Sequence, residues 1–234
     1  MFLSSLLWCS IAFADAEADL VLAADSKAIE ATRLEAFNRL VRLGGTDLRH
    51  VLSVAGDSNQ EMRLRWVAIR VLGQVGGDPA LNLLPTVIQD KHPSIRAAVC
   101  AALGDLRSKS HAKLVGKRLQ DKAIIVRAAA AAALGQMRST EGIAPLGLAL
   151  VDKSNWHRNN SLWVRRHYVA ALERIGHKKA YPILLRTLDD SDPTVVAAVI
   201  AAVKFISGND FSEGRSSVEE IEAWRRWLTR QLGR

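Results

Sequence analysis

A motif that recurs about every thirty residues constrains the fold of this chain more than any other feature. In its clearest copy, residues 126–135, a valine and an arginine are followed by six alanines and a final Leu-Gly pair. The arginine position recurs at spacings of 32, 31, 31, 38 and 31 residues. The six anchor positions are Arg33, Arg65, Arg96, Arg127, Arg165 and Val196. A period of this length, kept over six copies, predicts a stacked repeat protein rather than a globular enzyme fold.

Each repeat is predicted to contain two antiparallel helices. In the third repeat, residues 79–89 place apolar side chains at helical spacing, and the sequence Asp-Lys-His-Pro at 90–93 then interrupts the helix. Ser94 is expected to cap a second helix that runs to Leu103. Because no segment alternates with a period of two residues, we expect no strands. The predicted fold class is therefore all-α, an α-solenoid of about six two-helix repeats.

The turn between the two helices resembles that of a known family. It has the pattern D-x-x-x-x-[VI]-R, and the two-helix unit looks like HEAT repeats, particularly the short bacterial type similar to phycobilin-lyase repeats. The resemblance spans about residues 16–206. It implies a structural ladder of hydrogen bonds within and between repeats, and a role in binding other macromolecules. The ladder residues it implies are Asp90, Arg96, Asp121 and Arg127, whereas Val196 replaces the arginine that would follow Asp190.

The segment 207–234 is predicted to close the repeat array that spans 15–206. A polar turn precedes a helix at 218–232, and a G-x-D-F segment followed by W-x-x-W looks like the tail that often ends bacterial HEAT arrays. The apolar stripe of this helix includes Trp224 and Trp227, which we expect to cover the last repeat. The opposite face, with Arg225, Arg226 and Arg230, is expected to face water.

The first fourteen residues resemble an export signal. Residues 2–14 are uncharged and mostly apolar, and Ala12 and Ala14 provide small residues before a cleavage site at Asp15. This stretch is too short to span a bilayer, so we expect no transmembrane span. Cleavage predicts a periplasmic or secreted bacterial protein. The alternative is a misassigned start or an apolar N-terminal cap, which would make the protein cytoplasmic.

Charge and cysteine content limit the partners and the chemistry. The net charge is +8 and the isoelectric point is about 9.9, which favours anionic partners such as nucleic acid, an anionic membrane face or acidic proteins. Cleavage of the signal would remove Cys9 and leave Cys100. Cys100 falls in a column of apolar residues that lies four positions after each anchor, so we expect a buried core thiol rather than a nucleophile.

The one break in the period is a candidate recognition loop. Asp152 and Arg165 lie 13 residues apart, where the other turns need six, so seven residues are inserted within 153–163. Insertions in repeat proteins project as loops on one face, often the binding face. The insertion and the start of the next helix combine cations with aromatic rings, which suits protein recognition. The candidate contact residues are Trp156, His157, Arg158, Trp163, Arg166 and Tyr168. The alternative is a longer linker in which Trp163 packs on the next helix.

A second candidate surface is the face lined by the second helices. Its middle positions are alanines, and Trp66 with Arg70 lies towards one end. We expect these two residues to be outlying partner contacts. The alternative is that the alanines reflect only helix propensity and tight packing.

No catalytic, cofactor-binding or metal-binding residues are predicted. The sequence contains no Gly-rich phosphate loop, H-E-x-x-H or G-x-S-x-G motif, and no histidine is followed by glutamate as in the iron-binding pairs of HEAT-like hydroxylases. We therefore predict a non-enzymatic protein–protein interaction scaffold. One alternative is a nucleic-acid-binding protein that uses its basic surface, if the export signal is not real. A second is an accessory, lyase-like HEAT protein that acts on another protein.

Overall fold

The computed structural model describes residues 15–43, 48–158 and 160–233. The predicted export signal at 1–14 lies outside the described residues. These residues form two compact units, with the boundary between Ser108 and Lys109. Each unit consists almost entirely of helices that follow the repeat pattern of the sequence.

The first unit contains six helices among its described residues. Its longest helices are second helices of successive repeats, and they pack directly against each other. Gly73 permits this close approach, because a Cβ atom at that position would lie 2.8 Å from the Cα of Ala102. The helices are α1 (15–24), α2 (Glu30–Arg42), α3 (Arg49–Gly56), α4 (Met62–Val75), α5 (Gly77–Val87) and α6 (Pro93–Asp105).

The second unit continues the same alternation of shorter first helices and longer second helices. Helix α10 packs against both α8 and α12, so the second helices form a continuous row within this unit. The helices are α7 (Ala112–Gly116), α8 (Ile124–Met137), α9 (Ile143–Val151), α10 (Val164–Ile175), α11 (Tyr181–Thr187), α12 (Pro193–Ser207) and α13 (Ser217–Gln231).

Two local expectations are wrong. The inserted segment contains a small antiparallel hairpin in which β1 (Trp156–His157) pairs with β2 (Asn160–Ser161), although no strand was expected. The inserted residues leave room for a chain reversal, and Arg158 adopts a left-handed conformation with φ of 48° at its turn. Ser94 does not cap α6, because Pro93 occupies the first turn of the helix and His92 is the N-cap residue.

The column four positions after each anchor lies mainly in the core. Ile69, Cys100, Ala131 and Val169 are fully buried, whereas Phe37 in the first repeat is half-buried. Ile200, in the last repeat, is also half-buried. Burial in this column therefore depends on a neighbouring repeat on each side.

Helix α13 caps the last repeat through an aromatic cluster. Trp224 is fully buried and its ring lies 4.5 Å from Phe211, while Trp227 contacts Tyr181 with ring centroids 5.4 Å apart. Arg225, which was expected to face water, is only partly exposed. Its guanidinium pairs with Asp189 of the last repeat at 2.7 Å, because α13 lies against α11. The other two arginines, Arg226 and Arg230, are exposed.

Candidate functional site

Buried arginine–aspartate pairs connect successive repeats in each unit. In the first unit, Arg65 Nη2 lies 2.7 Å from Asp90 Oδ2, and both side chains are almost completely buried. In the second unit, Arg165 forms the equivalent pair with Asp190. In both pairs the aspartate follows the arginine by 25 residues. Sequence reasoning did not assign these pairs, although their identical spacing was a usable signal.

The predicted ladder arginines also bind the turns of their own repeats. Arg96 Nη1 donates to the Asp90 carbonyl oxygen at 2.8 Å, and Arg127 Nη1 donates to the Asp121 carbonyl oxygen at 2.8 Å. Arg127 Nη2 in addition donates to the Ser154 carbonyl oxygen at 3.3 Å. The arginine side chains therefore satisfy backbone acceptors that the helix break leaves exposed.

The carboxylate of Asp90 stabilises the same turn from the other side. Its Oδ1 accepts a hydrogen bond from the backbone N–H of His92 at 2.8 Å. Burial raises the pKa of Asp90, but this amide and the guanidinium of Arg65 outweigh burial, so the pKa lies below its ordinary value. Asp90 is thus held as a charged carboxylate inside the repeat interface.

The base of the inserted segment belongs to the core of the second unit. Asn155 is fully buried, and its Nδ2 donates to the Ala149 carbonyl oxygen at 2.9 Å. Its Oδ1 accepts from the Tyr168 hydroxyl at 3.1 Å. The prediction that Tyr168 contacts a partner is wrong, because its side chain is fully buried and burial raises the pKa of its phenol. Its aromatic ring sits at a position of α10 that faces the preceding repeat.

Arg165 holds the hairpin onto this base. Its Nε donates to the Leu150 carbonyl oxygen at 2.9 Å, and its Nη1 donates to Ser161 Oγ at 3.0 Å. The ring of Trp156 covers the guanidinium, with 4.0 Å between its centroid and Arg165 Cζ. Trp156 is half-buried, so the hairpin is an ordered element that packs on an anchor arginine.

Four of the predicted contact residues form what we call the hairpin surface. His157 and Arg158 are exposed at the turn of the hairpin, and Arg166 is exposed in the first turn of α10. Trp163 is 44% exposed and its ring packs edge-on against His167, 4.9 Å between centroids. The alternative prediction, a linker in which Trp163 packs on the next helix, is therefore partly correct. The ring contacts His167 of α10, but much of it is exposed to solvent.

The other two predicted contact residues lie in the first unit. Trp66 of α4 is 43% exposed, as expected for a contact residue. Arg70 pairs with Asp105 of α6 at 2.9 Å, and Gln74 donates to the same carboxylate at 3.2 Å. The guanidinium of Arg70 therefore already has a partner within its own unit.

A small polar cavity lies between the hairpin and the turn that precedes α12. Its volume is about 300 Å³. The lining residues are Trp156, Asn160, Ser161, Ser191, Asp192 and Pro193. Asp192 caps α12, since its Oδ1 accepts from the Thr194 backbone N–H at 2.9 Å. Hydrogen bonds from the side chain of Ser161 and from Thr194 lower the pKa of Asp192 to about 2 despite partial burial.

The described residues contain neither a cluster of metal ligands nor a membrane-spanning helix. Over 15–43, 48–158 and 160–233, there is no group of three or more His, Cys, Asp or Glu side chains placed to hold a metal ion. In that same part of the chain, every helix is too short or too polar to cross a bilayer.

Comparisons with known proteins identify the architecture. A family model described as HEAT repeats matches residues 48–123, 81–162 and 157–214. A designed armadillo repeat protein, solved in complex with the peptide (KR)4, aligns with 80% of this chain and 98% of its own at 15% identity and a TM-score of 0.51. These matches confirm the predicted all-α solenoid fold class. A search of curated proteins found no match.

Two further structures align over most of this chain. An engineered protein covers 92% of this chain and 62% of its own at 14% identity, with a TM-score of 0.50. Human deoxyhypusine hydroxylase, solved with glycerol, covers 87% of this chain and 99% of its own at 16% identity. Its TM-score of 0.40 is too low to support an argument about activity.

Proposed function

Because this chain belongs to the HEAT-repeat family, we propose that it is a non-enzymatic scaffold that binds another protein. Repeat folds of this kind offer extended surfaces built from stacked helices, and insertions between repeats often lie on the binding face. The designed armadillo repeat protein of similar fold was solved with a bound peptide. An extended segment of a partner protein is therefore a suitable ligand for this fold.

The observation that supports this function best is the ordered hairpin with exposed arginine and aromatic side chains. Asn155 and Arg165 fix its base through buried hydrogen bonds, so the hairpin loses little conformational entropy when a partner binds. Arg158 projects from its turn, and Trp163 follows at the start of α10. Rigid aromatic and arginine side chains are the residue types that dominate binding energy at protein interfaces.

The charges of the hairpin surface favour a partner with acidic side chains. Arg158 and Arg166 are both exposed, and neither forms an ion pair with any residue in the described part of the chain. Their guanidinium groups are thus available to carboxylates of a partner, with which they can form two parallel hydrogen bonds. The net charge of +8 would also accelerate association with an acidic partner.

Affinity capture from host extract tests this proposal. The bait is the chain from Asp15 onward, and the test variant is Arg158→Ala/Arg166→Ala. The matched control is Lys178→Ala/Lys179→Ala, which removes the same charge from two exposed residues elsewhere in the second unit. Each bait is used with and without nuclease. We expect specific proteins to be retained by the wild type and the control after nuclease treatment, and to be lost with the test variant.

Other outcomes separate the alternatives. Recovery of nucleic acid and its binding proteins, abolished by nuclease, would refute the protein scaffold and support nucleic-acid binding through the basic surface. Equal capture by the test variant and the control would exclude the hairpin surface as the binding site. If a captured protein carries a covalent modification only when the bait is present, the result would instead support an accessory, lyase-like role.

We also propose that the protein is exported to the periplasm or beyond. The support is the apolar stretch at 2–14, which lies outside the described residues and is followed by Asp15. N-terminal sequencing of the protein purified from fractionated host cells tests this. A mature chain in the envelope or medium that starts at Asp15 is expected. An uncleaved chain in the cytoplasm would refute export.

A further inference from the structure

We propose that the cavity between the hairpin and the turn before α12 is a subsite for one cationic side chain, arginine or lysine, of a bound protein. We call it the hairpin cavity. The inference rests on the proposed function, because it assigns a specific role to a second part of the same recognition region. It does not involve the exposed arginines of the hairpin surface.

The hairpin cavity carries a negative charge. Among the described residues that line it, Asp192 alone is charged. Neighbouring Asp190 is neutralised by its pair with Arg165, whereas no cation within the described residues pairs with Asp192. The hydrogen bonds from Ser161 and Thr194 keep Asp192 ionised at physiological pH. The cavity therefore contains one uncompensated negative charge.

The helix terminus next to the cavity does not reverse this sign. The N-terminus of a helix ordinarily attracts anions through its unpaired N–H groups. In α12, Pro193 has no N–H group, and the N–H of Thr194 already donates to Asp192. An anion would have to displace this carboxylate, while a cation complements it. The geometry therefore favours a cationic ligand.

The cavity also has an aromatic wall. Trp156 lines it and is half-buried, and tryptophan is the aromatic residue that binds cations best. One face of its ring lies on the guanidinium of Arg165, so the incoming cation would contact the other face. Ser191 and Asn160 also line the cavity, and the hydroxyl of one and the amide oxygen of the other can accept hydrogen bonds. A tryptophan ring, a carboxylate and neutral acceptors together match the flat, donor-rich guanidinium of arginine or the ammonium of lysine.

The size of the cavity fits one side chain. A volume of about 300 Å³ is at the lower end of the range for small-molecule sites. It suits the end of one long side chain and is too small for a folded element. The cavity would therefore fix the register of a partner segment that binds along the hairpin, rather than provide most of the binding energy.

Binding of capped amino acids to the isotopically labelled protein tests the subsite by NMR. The probes are N-acetyl-arginine amide, N-acetyl-lysine amide and, as the neutral control, N-acetyl-norleucine amide. We expect saturable shifts of the Trp156 indole N–H and the Thr194 amide with the two cationic probes at millimolar concentrations. The norleucine probe should cause neither shift.

Two variants and a control test the role of the carboxylate. Asp192→Asn keeps the helix cap but removes the charge, and should weaken arginine binding by about tenfold. Ser191→Asp adds a second carboxylate at an exposed lining position and should strengthen binding severalfold. Asp57→Asn is the control, because Asp57 accepts an equivalent turn hydrogen bond from the Asn59 amide at 2.9 Å in the first unit. It should bind the probes like the wild type.

The proposal is overturned if the cationic probes cause no saturable shift, if norleucine binds equally well, or if neither variant changes the affinity. These outcomes are independent of the capture experiment. Probe binding without capture of any protein would refute the scaffold function and leave the subsite intact. Capture that depends on Arg158 and Arg166, without binding of the cationic probes, would refute the subsite and support the scaffold function.

Discussion

At the scale of single residues, Arg165 shows how one side chain connects the repeat core to the candidate site. It pairs with Asp190 in the next repeat, donates to the Leu150 carbonyl oxygen in the preceding helix, and supports Ser161 of the hairpin. Its exposed neighbour Arg166 forms no such contacts among the described residues. Two adjacent arginines thus have opposite roles, one in the core and one on the surface.

This contrast predicts a large difference in stability between two alanine variants. Arg165→Ala should lower the free energy of unfolding by roughly 3–5 kcal/mol, because it leaves the carboxylate of Asp190 buried without its partner. Arg166→Ala should change it by less than about 0.5 kcal/mol. Urea denaturation monitored by circular dichroism measures both. Similar losses in the two variants would contradict the assignment of Arg165 to the core.

The carboxylate of Asp192 gives a prediction about pH. Its folded-state pKa of about 2 lies below the ordinary value near ~3.9, so its ionised form stabilises the folded protein. This contribution is fully present above about pH 5 and is lost as the pH falls towards 2. Asp192→Asn lacks the contribution at every pH. The difference in free energy of unfolding between the wild type and this variant should therefore narrow as the pH falls.

Urea denaturation at several pH values tests this prediction. Other carboxylates titrate in both proteins, so their effects cancel in the difference. A difference that stays constant from pH 5 to pH 2 would show that Asp192 does not have a lowered pKa in the folded state.

At the scale of elements, the close packing of second helices depends on small residues at specific positions. Gly73 of α4 faces the backbone of Ala102 in α6, which cannot move without displacing a helix. Gly116 of α7 has ordinary space beside it, since a Cβ atom there would lie 3.5 Å from Pro145 Cγ. Its φ of −56° also suits any residue.

Alanine substitution should therefore have opposite effects at these two glycines. Gly73→Ala is expected to lower the free energy of unfolding by roughly 1–3 kcal/mol, because α4 and α6 must separate. Gly116→Ala should be neutral or stabilise the fold by up to ~1 kcal/mol, since alanine favours the helix. Thermal and urea denaturation of both variants measure the effects. Stabilisation by Gly73→Ala would mean that α4 and α6 pack less closely than described.

At the scale of the whole molecule, the chain consists of two compact units with equivalent buried pairs. The first unit contains the pair of Arg65 with Asp90, and the second contains the pair of Arg165 with Asp190. In repeat proteins each repeat contacts only its neighbours, so stability is a sum of local terms rather than one global quantity. The effect of breaking one pair should therefore remain largely within its own unit.

Hydrogen exchange measured by mass spectrometry tests this locality with a matched pair of variants. Arg65→Ala should accelerate exchange in α4–α6 and leave α10–α12 nearly unchanged. Arg165→Ala should accelerate exchange in α10–α12 and leave α4–α6 nearly unchanged. If each variant accelerated exchange equally along the entire chain, the two units would unfold as one cooperative structure.

Much of the architecture could be predicted from local patterns in the sequence. The repeat period, the two helices of each repeat and the terminal cap with Trp224 all depend on spacing between nearby residues. Such spacing is sufficient because helix formation and the position of its apolar stripe are set within a few turns of the chain. The longer spacing between Asp152 and Arg165 likewise predicted the insertion at 153–163.

Only the tertiary structure decided which polar and aromatic side chains are buried. Tyr168 was expected on the surface, but its hydroxyl lies against Asn155 in the core. Arg165 finds its carboxylate 25 residues away, in the next repeat. These outcomes depend on groups supplied by other repeats, because a buried charge or hydroxyl is stable only where a distant partner completes its hydrogen bonds.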